Sequence, residues 1–151
     1  PLMTTTIHLA KLDDAPRLLT LIAAFHAEAG IKRSDEQRDD TLIPLLKGSP
    51  HGAAWLFGPA KAATGYTIIT FGWSLEMGGL NAFIDELYIR PSVRKRGIAS
   101  EVLMAISSSL ASAGVKALHS EIDDKNDTTQ RLYARAHFKL CDRFSLMTRI
   151  L

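Results

Sequence analysis

Arg94, Lys95, Arg96 and Gly97 stand side by side, and residue types in that order can hold an anion. A β-favouring run over 82–89 leads to a turn begun by Arg90-Pro91, then through the cations to Gly97, which opens a helix. The first N–H groups of a helix have no internal partner, and glycine lets a phosphate come close to the backbone. The cations add charge attraction. The spacing predicts a pyrophosphate loop, with the preceding strand running beside the chemistry. Two carboxylates, Asp85 and Glu86, lie on that strand. His119, Glu121 and Asp123 alternate further on, but no fixed ligand spacing supports them, so no metal is expected.

The elements that position these residues follow from periodicity. Residues 5–9 form a short first strand. Asp13 or Asp14 caps a helix that accepts Pro16 in its first turn. Leu18, Leu19, Ile22, Phe25 and His26 keep helical spacing until Gly30 ends it. Residues 34–47 are polar first and apolar later, with Pro44 inside, which predicts a short or kinked helix. Three antiparallel strands follow at 53–57, 65–73 and 82–89, the last two joined through Met77-Gly78-Gly79. Ile98, Val102, Ile106 and Leu110 recur every four positions in a helix over 97–113, stopped by Gly114. A strand over 116–122, reached through that crossover helix, should run parallel to 82–89. Asn126 or Asp127 caps a second helix ending near Ala136, and 138–141 with 144–150 read as a closing pair of strands. The sum is one α/β domain over 1–151 with a mixed sheet.

Composition narrows the functional classes. A chain of 151 residues can bury a core without disulfides. Its single cysteine, Cys141, falls in an expected core strand and fits a reducing, cytoplasmic compartment. No apolar run approaches the roughly 20 residues of a membrane span, and no signal peptide is visible. Pro1-Leu2 ahead of Met3 reads as an expression remnant. A net charge of +2 is too small for general nucleic-acid binding, so the basic character is local to the loop. The last strands, with apolar Phe144, Leu146 and Ile150, are where a homodimer contact is expected.

Arg94-x-x-Gly97-x-Ala99 after Leu87-Tyr88-Ile89, with Asn126 and Tyr133 downstream, resembles the GNAT superfamily of acyl-CoA-dependent N-acyltransferases. The family's loop reads Gln/Arg-x-x-Gly-x-Gly/Ala, and Ala99 stands where glycine is common. The resemblance follows the whole chain in element order, most sharply over 82–138. It implies the GNAT fold: a mixed central β-sheet flanked by helices, with a splayed pair of parallel strands holding acetyl-CoA. By this likeness the pyrophosphate rests on Arg94, Lys95, Arg96, Gly97, Ile98 and Ala99. The pantetheine arm pairs with Leu87, Tyr88 and Ile89, Asn126 hydrogen-bonds it, and Tyr133 is the general acid.

Amine acetylation needs a neutral amine, and a lysine-like amine has a pKa of about 10.4. A carboxylate, directly or through water, must therefore take a proton. Asp85 and Glu86 are both candidates for that base. Adjacent strand residues face opposite sides, Asp85 with Phe83 and Leu87, Glu86 with Ile84 and Tyr88, and either side could be the cleft. Likeness to polyamine-acetylating relatives implies Asp85. A phenol near ~10 suits donation to a thiolate whose conjugate acid is near ~8.5, so Tyr133 fits the acid role if it sits close. Trp73 and Glu76 offer an aromatic wall and a carboxylate to a cationic acceptor, and His26 is a third acceptor candidate. The expected activity is direct acetyl transfer from acetyl-CoA to a primary amine of a polyamine-, aminoglycoside- or amino-acid-like small molecule. The competing readings are a peptide or protein N-acetyltransferase and a GNAT-fold module that binds acyl-CoA without turnover. Tyr133 together with the acidic pair favours the enzyme.

Overall fold

Four strands pair in chain order, and a fifth joins them from across a helix. The computed structural model describes residues 4–151, so Pro1-Leu2 lies outside the described residues. Strands β1 (Ile7–Leu9), β2 (Gly52–Phe57), β3 (Gly65–Ser74) and β4 (Gly79–Ile89) are antiparallel, and β5 (Ala117–Ser120) runs parallel to β4. Helices α1 (Ala15–Ala29), α2 (Asp35–Leu46), α3 (Ile98–Ser112) and α4 (Asp127–Arg135) complete the mixed α/β architecture. Among the described residues no helix is long and apolar enough to cross a membrane.

Two apolar clusters form on opposite faces of the sheet. Leu18, Leu21 and Ile22 of α1 with Leu42 of α2 pack on Leu56, Tyr66, Ile68 and Tyr88. Val102, Leu103 and Ile106 of α3 with Tyr133 of α4 pack on Phe57, Ile69, Ile84 and Ile89. A 15-residue helix alone is marginal in water, so burial of the α3 stripe is what makes that helix stable. Local signals place the ends. Gly30 closes α1 at φ 71°, a left-handed backbone that a β-carbon disfavours. Asp14 does not cap α1 through its side chain; it accepts from the Lys11 N–H at 2.8 Å and pairs with Arg17. A reciprocal Ser34–Gln37 capping box starts α2, which runs through Pro44 to Leu46. It is therefore not cut short at the proline. Pro44 falls in the last turn, where its missing N–H removes a single helical bond.

Several expectations from periodicity fail. Residues 138–141 and 144–150 form no strands. After α4 the chain instead leaves Leu140, Phe144, Leu146, Met147 and Ile150 exposed, and Cys141 is exposed rather than in a core. A β-favouring composition makes no strand where no ladder partner is in place. β5 is shorter than expected, and β4 begins earlier, at Gly79, because the hairpin pairs all the way to Ser74↔Gly79.

The last failure matters most. Ile68 faces Glu86 while Ile69 faces Ile84, so Asp85 has no partner on β3. This is a β-bulge, and it reverses the alternation of side chains beyond it. Ile84, Leu87 and Ile89 now pack on the α3 face, and Tyr88 packs on the α1 face. Of the sets expected from strict alternation, Glu86 keeps Tyr88 on the α1 face, but Ile84 instead shares the α3 face with Leu87. β5 pairs with β4 only from Asn81↔Ala117 to Ile84↔Ser120, so the two parallel strands part at the bulge.

Gly65 guards the other edge of this stretch. A β-carbon there would stand 2.1 Å from the Tyr88 carbonyl oxygen. Gly65→Ala should destabilise the fold by roughly 2–3 kcal/mol, the upper range of forced overpacking. The measurement is a urea midpoint at unchanged m-value, and a wild-type midpoint would show that β3 and β4 can move apart there without cost.

Candidate active site

The loop after β4 presents backbone donors. Pro91–Val93 forms a 3-10 turn, and Lys95 (φ 64°) and Gly97 (φ 81°) both adopt left-handed backbone. Such residues can turn successive N–H groups toward one point. Gly97 stands at the N-cap of α3, where no side chain satisfies the first N–H groups, and a β-carbon on it would meet nothing within 4 Å. The mouth of α3 is thus open and carries the positive end of the helix dipole. Lys95 and Arg96 are exposed and in no ion pair among the described residues.

Arg94 behaves differently. Its Nε donates to the Ile89 carbonyl at 2.8 Å, its two terminal nitrogens grip Glu28 at 2.6 and 2.7 Å, and its guanidinium lies over the Tyr88 ring. The side chain expected on the phosphate is committed to a brace that ties the loop to β4 and to α1. Its hydrogen bond holds the Glu28 carboxyl below the ordinary range. Glu28 gives no signal in the sequence, because the pair spans 66 positions.

Beyond the bulge, Leu87, Tyr88 and Ile89 have no strand partner among the described residues on the side where β5 has parted. At the base of this fork the Ser120 hydroxyl donates to Tyr133 Oη at 3.0 Å. Tyr133 is buried, edge-on to Phe138. Burial raises its pKa, against the effect of Ser120, so the phenol is protonated at neutral pH. Asn126 caps α4, its side-chain oxygen accepting from the Thr129 N–H at 3.1 Å.

The two adjacent carboxylates have different surroundings. Glu86 accepts from Tyr66 Oη at 2.7 Å and lies 2.7 Å from His26 Nε2. Tyr66 and His26 are both buried, and burial with the Glu86 charge keeps the Tyr66 phenol protonated far above neutral pH. Asp85, at the bulge, is exposed and has no hydrogen-bond partner among the described residues. Desolvation by the surrounding walls raises its pKa, the charges of Glu86 and Glu121 raise it further, and His26 works the other way.

Two strand neighbours complete the surroundings. Phe83 and His119 are paired in register across β4 and β5, with ring centroids 4.7 Å apart, and Phe83 is 42% exposed. In the sequence His119 appears only within a metal-like alternation. Among the described residues no group of three His, Cys, Asp or Glu side chains gathers for a metal. Trp73 and Glu76 lie elsewhere, at the β3–β4 hairpin tip. Trp73 pairs with Leu80, about 17 Å along β4 from Asp85 at the rise of an antiparallel strand, so the fold does not bring that pair to the acidic centre.

The sequence profile of the Acetyltransferase (GNAT) family matches residues 15–138. The chain belongs to this family. It is a GNAT acetyltransferase, and its solved neighbours share the fold. An integron cassette protein from the mobile metagenome of Cole Harbour Salt Marsh is 28% identical at TM-score 0.84, covering 96% of this chain and 90% of that one. A possible acetyltransferase from Clostridium difficile is 15% identical at TM-score 0.84, covering 99% of each chain. An aminoglycoside acetyltransferase from an uncultured soil metagenomic sample is 16% identical at TM-score 0.82, covering 98% of this chain and 97% of that one. No curated protein matches the sequence. GNAT acetyltransferases generally use acetyl-CoA, and the open donors at α3, the cations beside them and the unpaired edge of β4 fit that cosubstrate.

The held carboxylate supplies a direct check of this geometry. Tyr66→Phe leaves the half-buried Glu86 Oε1 short of a donor and should cost roughly 1 kcal/mol of stability by urea unfolding. A variant as stable as wild type would mean that water reaches Glu86.

Proposed function

We propose that the chain transfers an acetyl group from acetyl-CoA to a primary amine of a small cationic molecule, polyamine-, aminoglycoside- or amino-acid-like in its chemistry. The observation that carries this reading is the fork at Asp85. There an open strand edge meets carboxylates within reach of one another's charge, beside the Phe83–His119 ledge. A ledge of aromatic faces next to negative charge suits an ammonium group.

When bound, acetyl-CoA supplies the acetyl group as a thioester. Lys95, Arg96 and the N–H groups of Gly97, Ile98 and Ala99 would hold its pyrophosphate, with Leu87, Tyr88, Ile89 and Asn126 along its pantetheine arm. Arg94 positions that loop through Glu28. Asp85 takes a proton from the acceptor's ammonium, directly or through one water, and leaves a neutral amine. A carboxyl with a raised pKa is the better base for this at neutral pH. Glu86, with both oxygens engaged by Tyr66 and His26, contributes negative charge while keeping its own position. Tyr133 Oη gives its proton to the departing sulfur and is reprotonated by the second proton that the nitrogen sheds as the amide forms; the proton left on Asp85 goes to solvent, and no protein nucleophile is needed. Holding amine and thioester in line supplies much of the rate.

The test is thiol release from acetyl-CoA over polyamines, aminoglycosides, amino acids and peptide N-termini. Release with a small cationic amine is expected. Release with peptides alone would establish the peptide or protein reading, and absence of CoA binding by calorimetry would sink the proposal. Tyr133→Phe should lower kcat by about 10²-fold or more, the scale of a general acid, with acetyl-CoA affinity nearly unchanged. An unchanged kcat would remove Tyr133 from the mechanism.

The pH dependence follows from the charges around Asp85. Activity should rise as Asp85 loses its proton, above the ordinary carboxylate range. Glu121→Gln removes a like charge that raises Asp85, so the acidic limb of kcat/KM should move to lower pH. Asp85→Asn should abolish that limb, and a limb unmoved in both variants assigns the base elsewhere.

A further inference from the structure

One hydroxyl interrupts an otherwise apolar face. Leu118 and Ile122, two residues either side of Ser120, both pack into the cluster under α3 and α4. So does Ile84, the β4 residue in register with Ser120. Such a strand position favours a β-branched apolar side chain, and valine would fill it with no polar atom to satisfy. The serine hydroxyl instead donates to Tyr133 Oη at 3.0 Å, and the phenol has no other polar partner among the described residues. The cluster around it carries no charge: Ile84 of β4, Val102 and Ile106 of α3 and Phe138 beyond α4 are its neighbours. The charged and titratable groups of the same elements are turned elsewhere. Glu101 of α3 is taken up by Thr5, Arg131, Arg135 and His137 on and after α4 are exposed, His119 stacks on Phe83, and Glu121 acts on Asp85.

We propose that Ser120 is a positioning residue for the acid: by donating to Tyr133 Oη it turns the phenol's own proton toward the fork, and it holds the phenolate that remains once that proton has gone to sulfur. The inference rests on the direct-transfer reading above. A phenol oxygen that accepts from Ser120 keeps its single hydrogen for another acceptor, and no protein group among the described residues takes it. As the carbon–sulfur bond breaks, its electron pair leaves on sulfur, sulfur takes the Tyr133 proton, and the negative charge passes to Oη. The Ser120 O–H is already aimed at that atom. A hydrogen bond to a charged oxygen is roughly twice as strong as one to a neutral oxygen. Its stabilisation therefore grows as the charge develops, which lowers the barrier rather than tightening the ground state. The second proton shed by the nitrogen then restores the phenol.

The fold holds both hydroxyls in place from opposite sides. Ser120 occupies the last rung of the β4–β5 ladder, Ile84↔Ser120, immediately before the strands part. Tyr133 is set by α4, whose start is fixed by the Asn126 cap, and by the edge of Phe138 against its ring. Burial makes the phenol harder to ionise, and the Ser120 donor works against that effect. Without the donor, the acid would give up its proton to a thiolate less readily.

Ser120→Ala should lower kcat at least ~10-fold, the scale of one hydrogen bond to a charged group, with acetyl-CoA affinity by calorimetry nearly unchanged. Ser120→Thr keeps the hydroxyl on a β-favouring side chain and should restore the rate. In a Tyr133→Phe background Ser120→Ala should slow the enzyme no further, because the two hydroxyls act as one unit. A readout apart from turnover is the Tyr133 phenol itself, followed by NMR of ring-labelled tyrosine and assigned by its absence in Tyr133→Phe. It should ionise at higher pH in Ser120→Ala than in wild type, since the lost donor favoured the phenolate. An additive loss in the double variant, a phenol that ionises as in wild type, or a wild-type kcat in Ser120→Ala beside a slow Tyr133→Phe would each overturn this inference while leaving the acetyltransferase reading in place. A wild-type kcat in Tyr133→Phe would remove the acid itself, and this inference with it.

Discussion

One residue too many in β4 shapes everything around it. Because Asp85 has no partner on β3, the strand kinks and twists there, and β5 can follow it no further than Ile84↔Ser120. The parting of two parallel strands inside a closely packed domain would otherwise leave backbone groups without partners. Such groups are costly unless a ligand, water or another chain completes them. The fork thus leaves a backbone edge available to such a partner. The same slip sends Leu87 and Ile89 into the α3 core and Tyr88 into the α1 core, so the open edge is held rigidly from both faces.

Electrostatics then divides the labour between neighbours. Glu86 is half-buried against a phenol and an imidazole, which together satisfy both of its oxygens. Asp85 has no such partner and sits within the field of two other carboxylates. Like charges raise the cost of ionising the least satisfied member, and that member is the one at the kink. On the other side of the fork, Arg94 spends its guanidinium on Glu28, Ile89 and the Tyr88 ring. A planar fork of donors suits such a brace better than a flexible ammonium would. Lys95 and Arg96 stay outside it.

Much of the scaffold could be read from the chain. The every-fourth apolar stripe of α3, Gly30 and Gly114 as stops, and the aromatic and β-branched runs of β2 to β4 are local signals that burial reinforces. The RKRG loop was legible for the same reason: a donor-rich helix start is a property of adjacent residues. Glu28, Tyr66 and Ser120 were not, since each acts through a partner distant in sequence. The place of Trp73 and Glu76 at the hairpin tip was not legible either, because nearness in sequence to an acidic strand says nothing about how far a long hairpin carries them.

The strand-like stretch after α4 shows the limit from the other direction. Residues such as Phe144, Leu146 and Ile150 can join a sheet, but joining one depends on an available edge, and that is a property of the assembled sheet. The sequence by itself determined the α/β class, the cationic loop that opens a helix at Gly97 and the supply of carboxylates and phenols, because each follows from local composition and period. Only the tertiary structure decided which of Asp85 and Glu86 is held and which is open. The reason is the bulge: a single unpaired residue reverses every side chain beyond it, and its place is set by cross-strand register rather than by any residue alone.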